Sequence, residues 1–378
     1  MVTERLSVLD GIRGAAILLV MFHHFGVHPT GAWSWMDWGP IAPSVFFVLS
    51  GYLITLSLSR IHAGWTAAGR PNGWDMLHFH VRRLVRLAPA FYVLLVVGVI
   101  LGWREFREEF VWHASFMTNW QMALYDHWPD RLSHLWSLSL QEEFYLLWPL
   151  ILFLPMRFLP WAFLVTFAGA AAFRAWCIHS GVSDMFRWFM LPGSLDNFAA
   201  GGLVAWMISQ NRAGFLVSPR GRWIGGVVAI GGWIISRYLR DLYGTGNLAL
   251  ALVESFESIL FAWLLLMLLQ VRQSVVHRVF NIRPLVFLGR ISYGLYLWHV
   301  MVFCLLAPVL TNWGLSNTER PFVVGLIITA ACVGVAAISW KWLEEPFIHW
   351  SKQLSRPDFR WADCWTGITN WFRRTRPE

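Results

Sequence analysis

What most constrains this chain is a succession of apolar stretches, each about as long as a lipid bilayer is thick. A helix that crosses the hydrocarbon core needs about 17–25 predominantly apolar residues. By that measure about ten stretches qualify, near residues 6–25, 39–58, 84–101, 135–154, 161–178, 188–208, 223–239, 248–269, 285–310 and 322–343. Lipid offers backbone N–H and C=O groups no partners, so such stretches must satisfy their own hydrogen bonds as helices. The expected fold is therefore all-α, a polytopic integral membrane protein of about ten transmembrane helices around a polar passage. Only 14% of the residues are charged and 57% are hydrophobic, whereas about a quarter of a soluble domain is charged. The 26 tryptophans suit a chain with many lipid–water boundaries, where indole rings collect.

The net charge of +8 is spread over short connections, not gathered in one basic domain, so it reads as membrane orientation and no nucleic-acid partner is expected. Arg60, Arg70, Arg157, Arg212, Arg220, Arg222, Arg272, Arg278 and Arg283 fall on alternate connections. The opposite connections carry fewer, several beside acids such as Glu105 and Glu108. That pattern predicts a multi-pass protein of the cell's inner (plasma) membrane with both termini cytoplasmic. Residues 1–347 are expected to form the membrane domain and residues 348–378 a basic cytoplasmic tail. The first apolar run is expected to stay attached and not to be cleaved as a signal peptide, because Arg13 interrupts it and no small-x-small site follows. Cys177, Cys304, Cys332 and Cys364 are isolated, with no CxxC spacing, so neither a metal site nor a disulfide framework is expected.

Against this apolar background the polar residues stand out. An ionisable side chain at the bilayer centre costs roughly 2.5–3.5 kcal/mol and marks a cavity or a functional site unless it snorkels to the interface or only ties helices together. Arg13 and His24 in LDGIRGAAILLVMFHHFG are about three helical turns apart and project from nearly one face, with His23 about a quarter-turn away. In VRRLVRLAPAFY, Arg82 and Arg86 share a face and Arg83 lies beside Arg86. This cluster reads either as a positive-inside flank or as a guanidinium fork for phosphates. In HLWSLSLQEEFYLLWP, Ser139, Glu142 and Tyr145 align, while Glu142 and Glu143 are adjacent carboxylates. A carboxylate here is expected to meet His24 as the orienting partner of a base. Asp196 and His299 sit inside later spans, where a structural polar contact is the commoner explanation. Glu344-Glu345-Pro346 reads as a helix stop. Trp33, Trp35, Trp38, Trp112, Trp120, Trp128 and Trp136 crowd one side, as an interfacial belt or as sugar-stacking faces.

Together these stretches resemble the acyltransferase-3 family of integral membrane O-acyltransferases. The resemblance rests on LDGIRGAAILLVMFHH, FFVLSGYLIT, RRLVRLAPAFY, HLWSLSLQEEFYLLWP, LGRISYGLYLWH and WKWLEEPF, in family order from Leu9 to Phe347. It implies transfer of an acyl group, often acetyl, from a cytoplasmic coenzyme A thioester to a hydroxyl of a carbohydrate such as a cell-envelope glycan, lipopolysaccharide or exopolysaccharide. It further implies His24 as the catalytic histidine, Glu142 or Glu143 as the acidic partner, Arg13 as the arginine of the first motif and Arg83 with Arg86 as the donor-side motif; Arg82 and Arg13 are expected to help bind the donor beside them. Arg13, Ser139 or Tyr293 would hold the oxyanion, and His24 would act as general base or as acyl carrier. The chain departs from the pattern at Gln141-Glu142-Glu143, where the family commonly has Glu-Glu-Gln. A standalone membrane domain, without an appended hydrolase-like domain, is expected. The competing class is a secondary transporter that uses the buried Arg, His and Glu as a proton relay; it should show repeat symmetry, and no repeat is evident.

Overall fold

The structure is a computed structural model and describes residues 2–25, 39, 41–244, 251, 255–315 and 320–353. Among the described residues the secondary structure is helical throughout, with no strand. The principal helices are α1 (Val2–His24), α2 (Ile41–Ala68), α3 (Gly73–Ile100), α4 (Trp136–Leu147), α5 (Leu159–His179) and α6 (Leu195–Ser209). They continue with α7 (Pro219–Tyr243), α8 (Ser255–Gln270), α9 (Arg283–Arg290), α10 (Ser292–Asn312), α11 (Pro321–Ser339) and α12 (Glu345–Gln353). Among the described residues, five helical stretches are long and apolar enough to cross a membrane: Ile41–Ala68, Gly73–Ile100, Met156–His179, Ser292–Asn312 and Pro321–Ser351. The shorter apolar helix is α8.

Several expected spans are interrupted, each for a visible reason. The stretch 135–154 is α-helical only to Leu147 and continues as a 3-10 turn, Trp148–Phe153. Pro149 has no N–H to donate, and its ring crowds the carbonyl four residues back. The stretch 188–208 breaks at Met190, whose backbone is extended, before Pro192 and Gly193. The α6 helix that follows has fifteen residues, or about 22 Å at about 1.5 Å per residue, short of the roughly 30 Å hydrocarbon core. Ile291 leaves helical geometry at φ −92°, ψ 9° and divides 285–310 into α9 and α10. The expected stop at Glu344-Glu345-Pro346 is absent. A single π-helical turn, Trp340–Glu344, leads directly into α12, with Pro346 as its second residue. The wider turn accommodates a proline that a continuous α-helix would not.

The α1 helix occupies the middle of the bundle. Ile17 and Met21 pack with Phe91 and Leu94 of α3, Leu295 and Met301 of α10 and Ile328 of α11. Val8, Ile12 and Ala16 pack with Val48 and Tyr52 of α2, Val204 of α6 and Leu265 of α8. Close helix crossings use glycine, because lipid supplies no hydrophobic drive between helices and packing must come from backbone approach. Gly51 of α2 lies against the Phe198 carbonyl of α6, and Gly201 of α6 lies against the Val48 carbonyl of α2. Gly14 and Gly289 seat α1 on α9 in the same way, against the Leu285 and Asp10 carbonyls. Since backbone is the obstacle, Gly201→Leu is expected to cost about 3 kcal/mol and to lower both folded yield and thermal stability in detergent. Gly231→Ala, on an α7 position with open space around it, is expected to change stability by less than about 1 kcal/mol.

Candidate active site

Two cavities lie beside α1. The larger, about 550 Å³, is lined by Arg13, Arg82, Arg83, Arg86 and Arg290, with no carboxylate among the described residues that line it. The other, about 280 Å³, is lined by His23, His24 and His134 together with Arg174, Asp196, Arg240 and Glu257. The spacing of α1 therefore opens Arg13 into one cavity and His24 into the other.

In the arginine cavity each guanidinium is placed differently. Arg13 is half-buried, and its Nη1 stands 3.4 Å from the Asp10 carboxylate on the same helix. The Arg83 guanidinium lies over the Tyr145 ring, 2.9 Å from its centroid. Tyr145 is itself anchored: its O–H donates to Gln141 Oε1 at 3.0 Å, and the Ser50 hydroxyl lies 2.9 Å from it. Gln141 thus serves as an acceptor within the cavity wall. Arg86 and Arg290 are exposed to the cavity and make no hydrogen bond or ion pair among the described residues. Stacked or free, such guanidiniums present planar donor forks suited to phosphate oxygens.

The histidine cavity rests on a cluster of imidazoles. The His24 ring lies 4.7 Å from that of His299, and the His299 ring lies 4.9 Å from that of His134, centroid to centroid. His23 and His24 are edge to face at 5.1 Å. His299 is wholly buried, and its Nδ1 lies 2.6 Å from the Tyr296 carbonyl oxygen. A carbonyl can only accept, so Nδ1 carries the proton and Nε2 is left with its lone pair. Nε2 has no hydrogen-bond partner among the described residues. By the same reasoning His134 donates from Nε2 to the Leu297 carbonyl at 3.3 Å, leaving Nδ1 as its lone-pair nitrogen. Trp128, Trp136, Trp188 and Phe189 form an aromatic wall on this cavity. Trp33, Trp35 and Trp38 lie outside the described residues.

The acidic stretch is arranged differently from expectation. Glu142 stands in the field of Arg83 and Tyr293, on the arginine side, and its buried Oε1 has no hydrogen-bond partner among the described residues. Among the described residues, the imidazoles of His23 and His299 are in ring contact with His24. Glu143 accepts from Asn119 Nδ2 at 2.8 Å and Trp120 Nε1 at 2.5 Å, so it clamps the short helix Thr118–Tyr125. The reason is rotational: adjacent residues on a helix point about 100° apart, so Glu142 and Glu143 cannot serve one site together.

Other candidates are already engaged. The Ser139 hydroxyl donates to the Leu135 carbonyl one turn back, and the Tyr293 hydroxyl donates to the Leu87 carbonyl at 2.8 Å. Asp196 is buried against Arg174 at 2.8 Å and accepts from Ser255, while Arg174 also donates to the Gly193 and Ala251 carbonyls. That saturated network makes Asp196 a structural residue on the cavity wall. Sequence reasoning missed Arg290, His134, Ser137 and Tyr296, although each lies in a stretch that carries the family resemblance. Among the described residues no group of histidine, cysteine or acidic side chains is arranged to hold a metal.

A helical membrane domain with an arginine-lined cavity and an imidazole-lined cavity on one helix has the parts of an acyl-transfer enzyme. The family model described as an acyltransferase domain matches residues 6–341, and the chain belongs to the acyltransferase-3 family. It is similar to the peptidoglycan O-acetyltransferase OatA of Listeria monocytogenes, 27% identical over 89% of this chain and 55% of that protein. It is 28% identical to the putative peptidoglycan O-acetyltransferase YrhL of Bacillus subtilis, over 89% of this chain and 54% of that protein. It is 26% identical to the O-acetyltransferase OatA of Staphylococcus aureus, over 89% and 56%. The chain thus spans about half the length of the curated relatives it matches. No solved structure matches it.

Proposed function

We propose that the chain is a membrane O-acetyltransferase that moves acetyl from coenzyme A to a hydroxyl of a cell-wall carbohydrate. One observation carries the reading: α1 presents Arg13 to a cavity of five guanidiniums and His24, about three turns on, to a second cavity that His23 and His134 also line. An arginine cavity without lining carboxylates suits the phosphates of coenzyme A, and it would face the cytoplasm. The narrow pantetheine arm would then run along α1 toward His24. The tryptophan wall of the histidine cavity supports a sugar acceptor, since flat aromatic faces pack against the C–H faces of sugar rings.

In direct transfer the acceptor oxygen attacks the thioester carbonyl carbon while its proton passes to His24. The carbonyl π pair moves to oxygen, then returns as the C–S bond breaks, and the thiolate leaves with the proton from His24. Acyl transfer through His24 itself follows the same order of bond changes in two steps. His299, with its free Nε2 beside His24, takes the orienting role first expected of Glu142. Glu142 instead balances the charge of Arg83.

The test uses purified protein in proteoliposomes with radiolabelled acetyl-CoA and peptidoglycan fragments, beside lipopolysaccharide and exopolysaccharide as rival acceptors. Label on the glycan that requires both donor and protein is the expected result. Movement of glycan across the bilayer with no label attached would instead favour a transporter.

A further inference from the structure

Among the described residues, the two cavities share just two lining residues, Ser137 and Tyr296. They come from different helices, Ser137 from the first turn of α4 and Tyr296 from the second turn of α10. Their hydroxyls are 2.8 Å apart and bridge the space between those helices. The Tyr296 O–H also donates to the His134 carbonyl oxygen. A phenol has one proton, and a carbonyl can only accept it, so Ser137 must be the donor to the phenol oxygen. Tyr296 is held a second time through its own carbonyl, which accepts from His299 Nδ1.

This arrangement has a consequence for the reaction if the proposed function is correct, and the inference rests on that reading. A donor entering through the arginine cavity and an acceptor entering through the histidine cavity can react only where the two spaces meet. The groups at that boundary are the two hydroxyls. Ser139 and Tyr293, the hydroxyls first expected to steady the oxyanion, are spent on the Leu135 and Leu87 carbonyls. Ser137 gives its proton to another hydroxyl, a weaker commitment than one to a carbonyl, and a serine O–H turns freely about its C–O bond.

We propose that Ser137 is a catalytic residue whose hydroxyl turns from Tyr296 to the thioester oxygen as negative charge develops there, and that Tyr296 is the positioning residue that aims it. The step adds no new reactant. The acceptor oxygen bonds to the carbonyl carbon, its proton goes to His24, and the charge on the former carbonyl oxygen is held by the Ser137 O–H until the C–S bond breaks. Removing one such donor in other acyl-transfer sites lowers turnover by about 100- to 1,000-fold.

The experiment compares wild type, Ser137→Ala, Ser137→Thr and Tyr296→Phe for kcat and for KM toward acetyl-CoA and glycan. Ser137→Ala is expected to lose about 100-fold or more in kcat with both KM values within about twofold. Ser137→Thr, which keeps the hydroxyl, is expected to recover most of that loss, an outcome a packing defect would not produce. Tyr296→Phe keeps the ring and is expected to lose kcat selectively while still binding donor; it supplies the same information should Ser137→Ala not fold. A folded Ser137→Ala or Tyr296→Phe protein with wild-type kcat overturns the assignment and leaves the acetyltransferase reading intact. Wild-type protein that moves no label from acetyl-CoA overturns both.

Discussion

His24→Ala is expected to lower kcat for acetyl transfer by about 100- to 10,000-fold, the range lost with a positioned general base, while acetyl-CoA still binds. The separation follows from geometry, because His24 lines the histidine cavity while Arg13, Arg82, Arg83, Arg86 and Arg290 line the other. His24 is exposed, whereas His134, which also lines the cavity, and His299 are buried. Among the described imidazoles that line this cavity, His24 is the most exposed and so the best placed to meet an incoming hydroxyl. Equilibrium binding of labelled acetyl-CoA, measured beside single-turnover transfer, checks both halves. A His24→Ala protein with near-normal turnover would exclude His24 both as base and as acyl carrier. His299→Ala is expected to fall between the two extremes, because it removes an orienting ring and leaves the reacting imidazole.

The second large effect lies at the donor end. Arg86 and Arg290 are the cleanest probes, since Arg83 is stacked on Tyr145 and Arg13 is beside Asp10. Hydrogen bonds to charged groups contribute about 1.5–3 kcal/mol each. The Arg86→Ala/Arg290→Ala double variant should therefore raise KM for acetyl-CoA about 100-fold or more, with kcat at saturation changed little. Acetyl-pantetheine, which has the thioester arm without the nucleotide and its phosphates, should be used equally by wild type and the double variant. Equal loss with both substrates would place the phosphates elsewhere. The acetyl-CoA affinity of wild type should also fall with added salt more steeply than that of the variant, because an ionic contact is screened.

Much of this site was legible in the sequence because it is local. The spacing of Arg13 and His24, and of Arg82, Arg83 and Arg86, follows from the helical period, and charges inside apolar runs announce themselves. Breaks at Pro149 and near Pro192-Gly193 were also open to a local reading, yet hydropathy averages across such residues and counted each stretch as one span. What spacing could not supply were partners from distant segments. Arg290 joins Arg86 only because α9 is seated on α1 through Gly14 and Gly289. Ser137 meets Tyr296 across 159 positions of chain. The pairing of Glu142 with His24 failed for a related reason. Membrane depth suggested that both belonged to one level, but the direction of a side chain around α4 depends on helix rotation, which depth does not reveal.

In the proposed reaction one acyl donor occupies the arginine cavity, with its phosphates among the arginines and its thioester at the boundary with the histidine cavity. The most direct measurement is an experimental structure of the protein bound to a non-hydrolysable thioether analogue of acetyl-CoA. The phosphates are expected between Arg86 and Arg290, and the carbonyl beside Ser137 and Tyr296, with space on its His24 side for an acceptor oxygen at about 3–3.5 Å from the carbonyl carbon. An analogue seated wholly in the histidine cavity, or one whose phosphates lie away from the five arginines, would contradict the account.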